Sequence, residues 1–177
     1  MAERDAGRGL SRFFPDMAAP DIYGIDLAGL RALGIDGLIF DIDNTLVKPG
    51  DDAPDARAAE WFKSLSQYGF RVCLLSNSGR RRVARFESAF GAPAVSGAMK
   101  PVGAGFRKAL NILGLGAHQA CMIGDQIFTD VVGAKRLGIY AVLTSPITRD
   151  EGVNVRLKRP PERFILKAFE KRENKRK

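Results

Sequence analysis

Gly37-Leu38-Ile39-Phe40-Asp41-Ile42-Asp43-Asn44-Thr45 is the stretch from which the fold is read. Its first four residues are a short apolar run, the pattern of a strand buried on both faces. Two carboxylates follow at i and i+2, on one side of an extended chain. In open α/β sheets ligands gather outside the carboxyl ends of parallel strands, so Asp41 and Asp43 are placed to face a crevice. One such carboxylate can attack a phosphorus atom while the other handles the proton. The same residues also suit an Asx-rich turn whose carboxylates bind only local amides.

Three later stretches decide between these readings. Val72-Cys73-Leu74-Leu75-Ser76-Asn77-Ser78 is a second apolar run ending in a hydroxyl and an amide, with Gly79 and a helix start beyond it. A helix N-terminus favours anions, so Ser76, Asn77 and the amides after them suit phosphate oxygens; Ser76 or Ser78 also suits a plain N-cap. Met99-Lys100-Pro101 sets an ammonium on a loop. Pro101 keeps Lys100 out of the α region and fits the first turn of a following helix. A fixed cation there would offset charge that builds during phosphoryl transfer. Ala120-Cys121-Met122-Ile123-Gly124-Asp125 is a further apolar run closed by a carboxylate. One or two carboxylates beside a substrate suffice for Mg²⁺. Asp125 fits that role or a helix cap, and Asp130 fits a supporting place in the next helix.

Taken in this order, the four stretches resemble motifs one to four of the haloacid-dehalogenase (HAD) superfamily of phosphotransferases. The resemblance implies a HAD-like Rossmannoid three-layer α/β sandwich. It implies Asp41 as a nucleophile forming an aspartyl-phosphate and Asp43 as general acid/base. Ser76, with Asn77 beside it, and Lys100 would bind the phosphoryl group. Mg²⁺ would be held by the Asp41 side chain, the Asp43 backbone carbonyl and Asp125, with Asp130 in support. Ion-pumping ATPases of this superfamily carry Thr at the position of Asp43 and dehalogenases lack the acid. The resemblance therefore implies hydrolysis of a phosphomonoester.

The intervals between motifs are short. Asp41 and Ser76 lie 35 positions apart, and Ser76 and Lys100 lie 24 apart. The first holds a loop over 48–54 and a helix over 55–68; the second holds a helix over 80–90 and a strand over 92–95. Neither has room for an inserted cap domain. An open site suits a bulky substrate such as a lipid head group, a protein or a nucleic acid, or a site completed by an oligomeric partner. Arg12-Phe13-Phe14-Pro15-Asp16, Gly34-Ile35-Asp36-Gly37, Gly138-Ile139-Tyr140-Ala141-Val142 and the basic ending after Glu151 resemble the bacterial YqeG family. That family is a capless subgroup related to the mitochondrial phosphatidylglycerophosphate phosphatase. The resemblance implies an anionic lipid phosphate as substrate; nucleic-acid ends or a small metabolite are the enzymatic alternatives. A non-catalytic RNA- or ribosome-binding protein is the contrasting class, and the complete set of motif residues argues against it.

Composition agrees with a single domain of 177 residues and 45% hydrophobic content. Strands near 37–41, 71–76, 93–95, 120–123 and 139–143 alternate with helices, which predicts a mostly parallel five-stranded sheet covered on both faces. Residues 37–145 form this core. Residues 1–36 read as a preamble anchored by Phe13, Phe14 and Tyr23, and residues 156–177 as a basic amphipathic helix and tail. The lone His118 sits in a polar loop, which excludes histidine-based catalysis. Cys73 and Cys121 lie inside apolar strands as small hydrophobes, so no disulfide framework or zinc site is expected. Residues 1–5 lack the apolar core of a signal peptide, and no apolar run approaches a membrane-spanning length. A reducing cytoplasm is the expected setting.

The formal net charge is +8, and residues 156–177 hold ten Lys or Arg against three Glu. Pro160-Pro161 suits a helix start, with Phe164, Ile165, Ala168 and Phe169 as an apolar stripe among Arg163, Lys167, Lys171 and Arg172. Such a helix suits an anionic membrane surface at the inner face, or RNA, or docking of its stripe on the domain. None of Asp41, Asp43, Ser76, Lys100 or Asp125 lies in it, so its loss is expected to spare turnover of a small soluble substrate. A second cluster, Arg80-Arg81-Arg82 with Arg85, starts just past Ser78 and reads as either the rim of the site or an exposed helix face.

Overall fold

A computed structural model describes residues 10–148 and 159–174. The readings of residues 1–5 and of 156–158 and 175–177 in the tail lie outside the described residues. Six strands form one sheet: β1 (Met17–Ala19), β2 (Gly37–Phe40), β3 (Arg71–Leu75), β4 (Ala94–Val95), β5 (Ala120–Gly124) and β6 (Tyr140–Thr144). Their order is β1-β6-β5-β2-β3-β4, and every neighbouring pair is parallel. The expected five-stranded sheet is thus six-stranded. The added strand comes from the segment read as a preamble. It has three residues and no alternation to betray it. Its pairing is tertiary, with Met17 opposite Val142 and Ala19 opposite Thr144. Asp16 anchors it, its amide donating to the Ala141 carbonyl at 2.8 Å and its Oδ2 accepting the Ala141 N–H at 2.9 Å.

The side chains of β2 divide the core. Leu38 and Phe40 point into a cluster with Phe62, Phe86 and Phe90, beneath α1 (Leu27–Ala32), α2 (Ala56–Ser64) and α3 (Arg80–Phe90). Ile39 points the other way, with Cys73, Leu75, Met122 and Phe106, beneath α4 (Gly103–Leu113), α5 (Val132–Lys135) and α6 (Arg159–Asn174). Period-two alternation therefore buries both faces between helices, which gives three layers. Asp55 caps α2 by accepting the Ala58 N–H at 2.7 Å. Among the described residues the intervals between β2 and β4 hold α2, α3 and short turns, with no cap domain.

The strand order places the crevice. From β2 the chain runs outward to β3 and β4, then crosses back to β5 and β6 on the other side. The reversal lies between β2 and β5, and ligands bind outside the carboxyl ends at such a switch point. Asp41 follows β2 directly, and its amide donates to the Ile123 carbonyl of β5 at 2.9 Å.

Pro160 and Pro161 stand in the first turn of α6. Ile165 and Phe169 of the expected stripe are buried, and Phe169 meets Phe14 edge-on at 5.8 Å. Phe164 departs from the stripe and faces solvent, 65% exposed. The stripe is narrower than the sequence pattern and is filled by the protein's own core. Among the described residues no helix is long and apolar enough to cross a membrane.

Candidate active site

Three strand ends converge. After β2 the chain turns back tightly, the Asn44 amide donating to the Val47 carbonyl at 2.7 Å. Asn44 takes a positive φ of 67°, a region Asn tolerates better than most side chains. Its side-chain oxygen accepts the Thr148 amide at 2.8 Å, and its Nδ2 donates to the Thr148 carbonyl at 3.0 Å. Asn44 thereby ties this turn to the segment after β6. Asp41 is buried. Its Oδ1 receives the Lys100 ammonium at 2.5 Å, and the same ammonium lies 2.7 Å from Asp130 Oδ1 as an ion pair. Pro101 stands two residues ahead of α4 rather than in its first turn, since α4 begins at Gly103 after Val102; the Lys100–Pro101 bond is cis.

The end of β3 supplies the opposite wall. Ser76 is buried and its Oγ accepts the Ser78 N–H at 3.0 Å; neither serine caps α3, whose N-cap is Gly79. Asn77 grips the lysine loop: its Oδ1 accepts the Lys100 N–H at 2.7 Å and its Nδ2 donates to the Lys100 carbonyl at 3.4 Å. Asp43 accepts from Ser78 Oγ at 3.0 Å and from Arg82 at 2.8 Å. Of the basic cluster, Arg82 reaches the site, with its guanidinium 5.1 Å from the Phe86 ring centre. Arg85 pairs with Asp52, which Arg82 also approaches at 3.6 Å.

Beyond β5, Asp125 is only 2% exposed. It does not cap the π-helical turn Ile127–Val131, whose flanking residue is Gln126. Asp130 Oδ2 accepts the Gln126 N–H at 3.1 Å instead. A Cβ on Gly124 would lie 2.4 Å from that oxygen, so a glycine is required for Asp130 to reach both Gln126 and Lys100. Asp125 meets a residue absent from the sequence expectations. Arg159, the first residue of α6, pairs with Asp125 Oδ2 through one nitrogen. Its other terminal nitrogen donates to the Asp125 carbonyl at 2.8 Å and to Glu162 Oε2 at 3.0 Å. Glu162 Oε1 in turn accepts the Phe128 N–H at 3.2 Å. Arg159 belongs to the stretch read as a basic tail, and through it α6 reaches a carboxylate of the crevice.

The electrostatics follow from burial. Asp41 is pushed up to about 7 by loss of water, against the pull of Lys100 and with help from Asp130. Burial and the charges of Asp41 and Asp130 raise Asp125 to about 8, opposed by Arg159. Burial also raises Glu162. Lys100 is held protonated by Asp130 and Asp41, which outweigh its own desolvation. Four buried carboxylates thus face the buried Lys100 and the half-buried Arg159, an excess of two negative charges when all are ionised. One oxygen from each of Asp41, Asp125 and Asp130 lies within 4.8 Å of the others, and the buried Asp125 Oδ1 has no hydrogen-bond partner. A hard dication that prefers oxygen ligands fits this donor set and this charge.

Asn44, Ser78, Arg159 and Glu162 thus escaped the sequence reading as site residues, and Arg82 was read only as the rim of the site or an exposed helix face. Asn44 and Ser78 sit inside the quoted motifs, so their position was the available signal. Arg159 and Glu162 carry none, because a long sequence separation divides them from Asp125.

Carboxylates from adjacent parallel strands here face a buried lysine at a switch point, an arrangement whose charge suits phosphoryl transfer. A family model described as haloacid dehalogenase-like hydrolase matches residues 47–138. The chain belongs to the haloacid dehalogenase-like hydrolases and, within them, is a phosphoric monoester hydrolase. It is 36% identical over 166 residues to the probable phosphatase YqeG of Bacillus subtilis, covering 92% of this chain and 95% of that protein. It is 34% identical over 151 residues to the chloroplastic phosphatidylglycerophosphate phosphatase 1 of Chlamydomonas reinhardtii, covering 80% of this chain. That match spans 56% of the algal protein's length. Among solved structures, the cobalt-bound deoxy-D-mannose-octulosonate 8-phosphate phosphatase of Haemophilus influenzae aligns with a TM-score of 0.52 at 17% identity. It covers 77% of this chain and 90% of that one, and supports the fold alone.

Proposed function

We propose that the protein is a Mg²⁺-dependent phosphatase that works through an aspartyl-phosphate on Asp41 and acts on an anionic lipid phosphate, phosphatidylglycerophosphate being the foremost candidate. The observation that carries the reaction is the buried cluster at the β2/β5 switch point. There Asp41 bears Lys100 on one oxygen, one oxygen of Asp125 lies within 4.8 Å of one from Asp41 and one from Asp130, and Asp125 Oδ1 is buried and unpartnered. Asp41 attacks phosphorus, and the bond to the leaving oxygen breaks as Asp43 gives that oxygen its proton. Asp43, now ionised, takes a proton from water as the water oxygen attacks phosphorus. The bond to Asp41 then breaks and inorganic phosphate leaves. Ser76 and Lys100 hold the phosphoryl oxygens, and Asn77 contributes by fixing the Lys100 backbone. Asp41, the Asp43 carbonyl and Asp125, with Asp130 supporting through Lys100, would hold Mg²⁺, which when bound would further neutralise phosphoryl charge.

The lipid reading draws on the name of the algal relative and on the open site. A groove of about 820 Å³ also runs from Asp125 along α6, with Ile127, Leu143, Pro146 and Leu166 beside Arg159 and Arg163. Apolar walls with a basic side chain suit the remainder of such a substrate. The solvent face of α6, with Arg163, Phe164, Lys167 and Lys171 exposed, suits peripheral contact with an anionic bilayer.

The test is Mg²⁺-dependent release of phosphate from lipid, nucleotide, sugar and protein phosphates, with Asp41→Asn as the control. Turnover of the preferred substrate should fall at least about 10³-fold in Asp41→Asn with the circular dichroism unchanged. Asp43→Asn should slow turnover by about 10²–10⁴-fold and let acid-stable phosphoenzyme build up. Near-normal turnover by a sequence-verified Asp41→Asn protein would refute the mechanism, and preference for a soluble phosphate would refute the lipid reading.

A further inference from the structure

We propose that Arg159 is a positioning residue for the metal site, aiming Asp125 Oδ1 into the crevice from the first turn of α6. The inference rests on the reading of Asp125 as a ligand of a divalent cation, and it concerns a residue outside every motif that defines that reading.

The geometry carries it. Arginine–carboxylate pairs are frequently bidentate, with both oxygens held in a fork. Arg159 does otherwise. One nitrogen takes Asp125 Oδ2, while the other bridges the Asp125 carbonyl at 2.8 Å and Glu162 Oε2 at 3.0 Å. The guanidinium therefore grips the residue by one side-chain oxygen and its own backbone, which fixes the carboxylate plane. Asp125 Oδ1 is left buried and without a hydrogen bond. A buried acceptor left open is costly, so a carboxylate held in that pose implies a cation to fill it.

Glu162 completes the brace. It is buried, one oxygen on Arg159 and the other on the Phe128 amide of the turn that carries Asp130. The Arg159 guanidinium is thus held from both ends, by the helix it belongs to and by the strand end it serves. Groups of this kind, hydrogen-bonded to a ligand rather than to the metal, change metal affinity by about 10–100-fold when removed.

Simple charge predicts the opposite sign. Removing a cation beside a carboxylate makes the site more negative and should tighten binding of a dication. Loss of affinity on removing Arg159 is therefore a signature of orientation that neither charge repulsion nor ordinary packing reproduces.

The experiment measures Mn²⁺ binding directly, by electron paramagnetic resonance of free Mn²⁺ and by calorimetry, on the full-length protein without substrate. Wild type is compared with Arg159→Gln, Arg159→Lys, Glu162→Gln and Asp125→Asn, each checked for thermal unfolding. Arg159→Gln should bind Mn²⁺ about 10–100-fold more weakly. Arg159→Lys should fall between it and wild type, because a single ammonium cannot serve Asp125 Oδ2, the Asp125 carbonyl and Glu162 in the same plane. Glu162→Gln should weaken binding less than Arg159→Gln. In turnover assays the loss should appear as a raised half-saturating Mg²⁺ concentration, with kcat at saturating Mg²⁺ largely recovered. Wild-type or tighter Mn²⁺ affinity in Arg159→Gln, with binding lost in Asp125→Asn, overturns the inference and leaves the phosphatase reading standing. Wild-type affinity in Asp125→Asn removes the metal reading itself. Should Arg159→Gln fail to fold, Arg159→Lys decides: weakened binding supports the brace and unchanged binding overturns it.

Discussion

Lys100 sits where a buried cation is needed most, between Asp41 and Asp130, and the consequences of removing it can be ranked. Breaking a buried ion pair from one side costs about 3–5 kcal/mol because the remaining charge is stranded. Here the stranded carboxyl can take up a proton, since Asp41 already titrates near 7, which argues for the lower end. Lys100→Met should therefore lower the metal-free melting temperature by about 10 °C at pH 8 and by less at pH 6. It should also abolish turnover at both. The raised carboxyls set a second expectation. Asp41 at about 7 and Asp125 at about 8 stand above their unfolded values. The stability linked to their protonation is therefore fully present below about pH 4 and lost as pH rises through 7 to 8. Metal-free protein should melt at falling temperature from pH 5 to 8.5, and saturating Mg²⁺ should flatten that fall. Metal binding at pH 7 should release protons, seen by calorimetry in buffers of different ionisation enthalpy; a heat independent of buffer would contradict the burial argument. At this scale the sequence was informative where chemistry follows strand ends. Asp41, Ser76 and Asp125 each follow an apolar run, so their convergence was legible, and Lys100, on a loop before a proline, was legible from its place in the order of the motifs. Arg82 was half-legible, placed near the site but not on Asp43. Arg159 was not legible, because the pairing depends on where a helix 34 residues away docks.

The docked helix matters equally as an element. Ile165 and Phe169 of α6 are buried among Phe14, Leu143 and other residues of the second core face, and Phe169 stacks edge-on against Phe14. Truncating a buried phenylalanine to alanine costs about 3–5 kcal/mol, so Phe169→Ala should lower the melting temperature by about 10 °C or more. Because the same helix begins at Arg159, deletion of residues 160–177 should reduce turnover of a soluble aryl phosphate as well as stability, and raise the Mg²⁺ requirement. Unchanged soluble turnover in the deletion would restore the view of α6 as an appendage. Helical periodicity could not separate these cases. Phe164, Ile165, Ala168 and Phe169 satisfy the same 3.6-residue pattern whether the stripe meets a bilayer or a sheet, and only the presence of Phe14 opposite settles it. The strand β1 illustrates the same limit from the other side. Three residues hold too little pattern to read, and pairing with β6 makes them a strand. The long elements were legible because burial on both faces forces continuous apolar runs. That is why β2, β3 and β5 were located to within a residue.

For the whole molecule, charge is the property left over once the site and core are assigned. The protein carries +8 with a pI near 9.8, yet the crevice itself has an excess of carboxylates, so the positive charge must lie outside it. Much of it sits on α6, whose solvent face shows Arg163, Lys167 and Lys171 around Phe164, 65% exposed. That face borders, through Arg163, the groove that reaches Asp125, so a bilayer meeting it would bring lipid head groups near Asp125. Each basic residue near an anionic leaflet contributes about 1 kcal/mol, decaying over a Debye length of about 8–10 Å at moderate salt. A single exposed phenylalanine adds about 1.5–3 kcal/mol if it inserts fully. Lys167→Glu with Lys171→Glu should thus weaken binding to phosphatidylglycerol vesicles by more than tenfold at 0.1 M salt, with little effect at 1 M. Phe164→Ala should weaken it at both salt levels. None of the three side chains is buried, so the melting temperature and soluble aryl phosphate turnover should hold near wild type, while turnover of a vesicle-borne lipid phosphate falls. Equal vesicle binding by all variants, or binding to neutral vesicles as strong as to anionic ones, would rule out this face as the membrane contact. A matching loss on single-stranded RNA in place of vesicles would assign the same charge to nucleic acid.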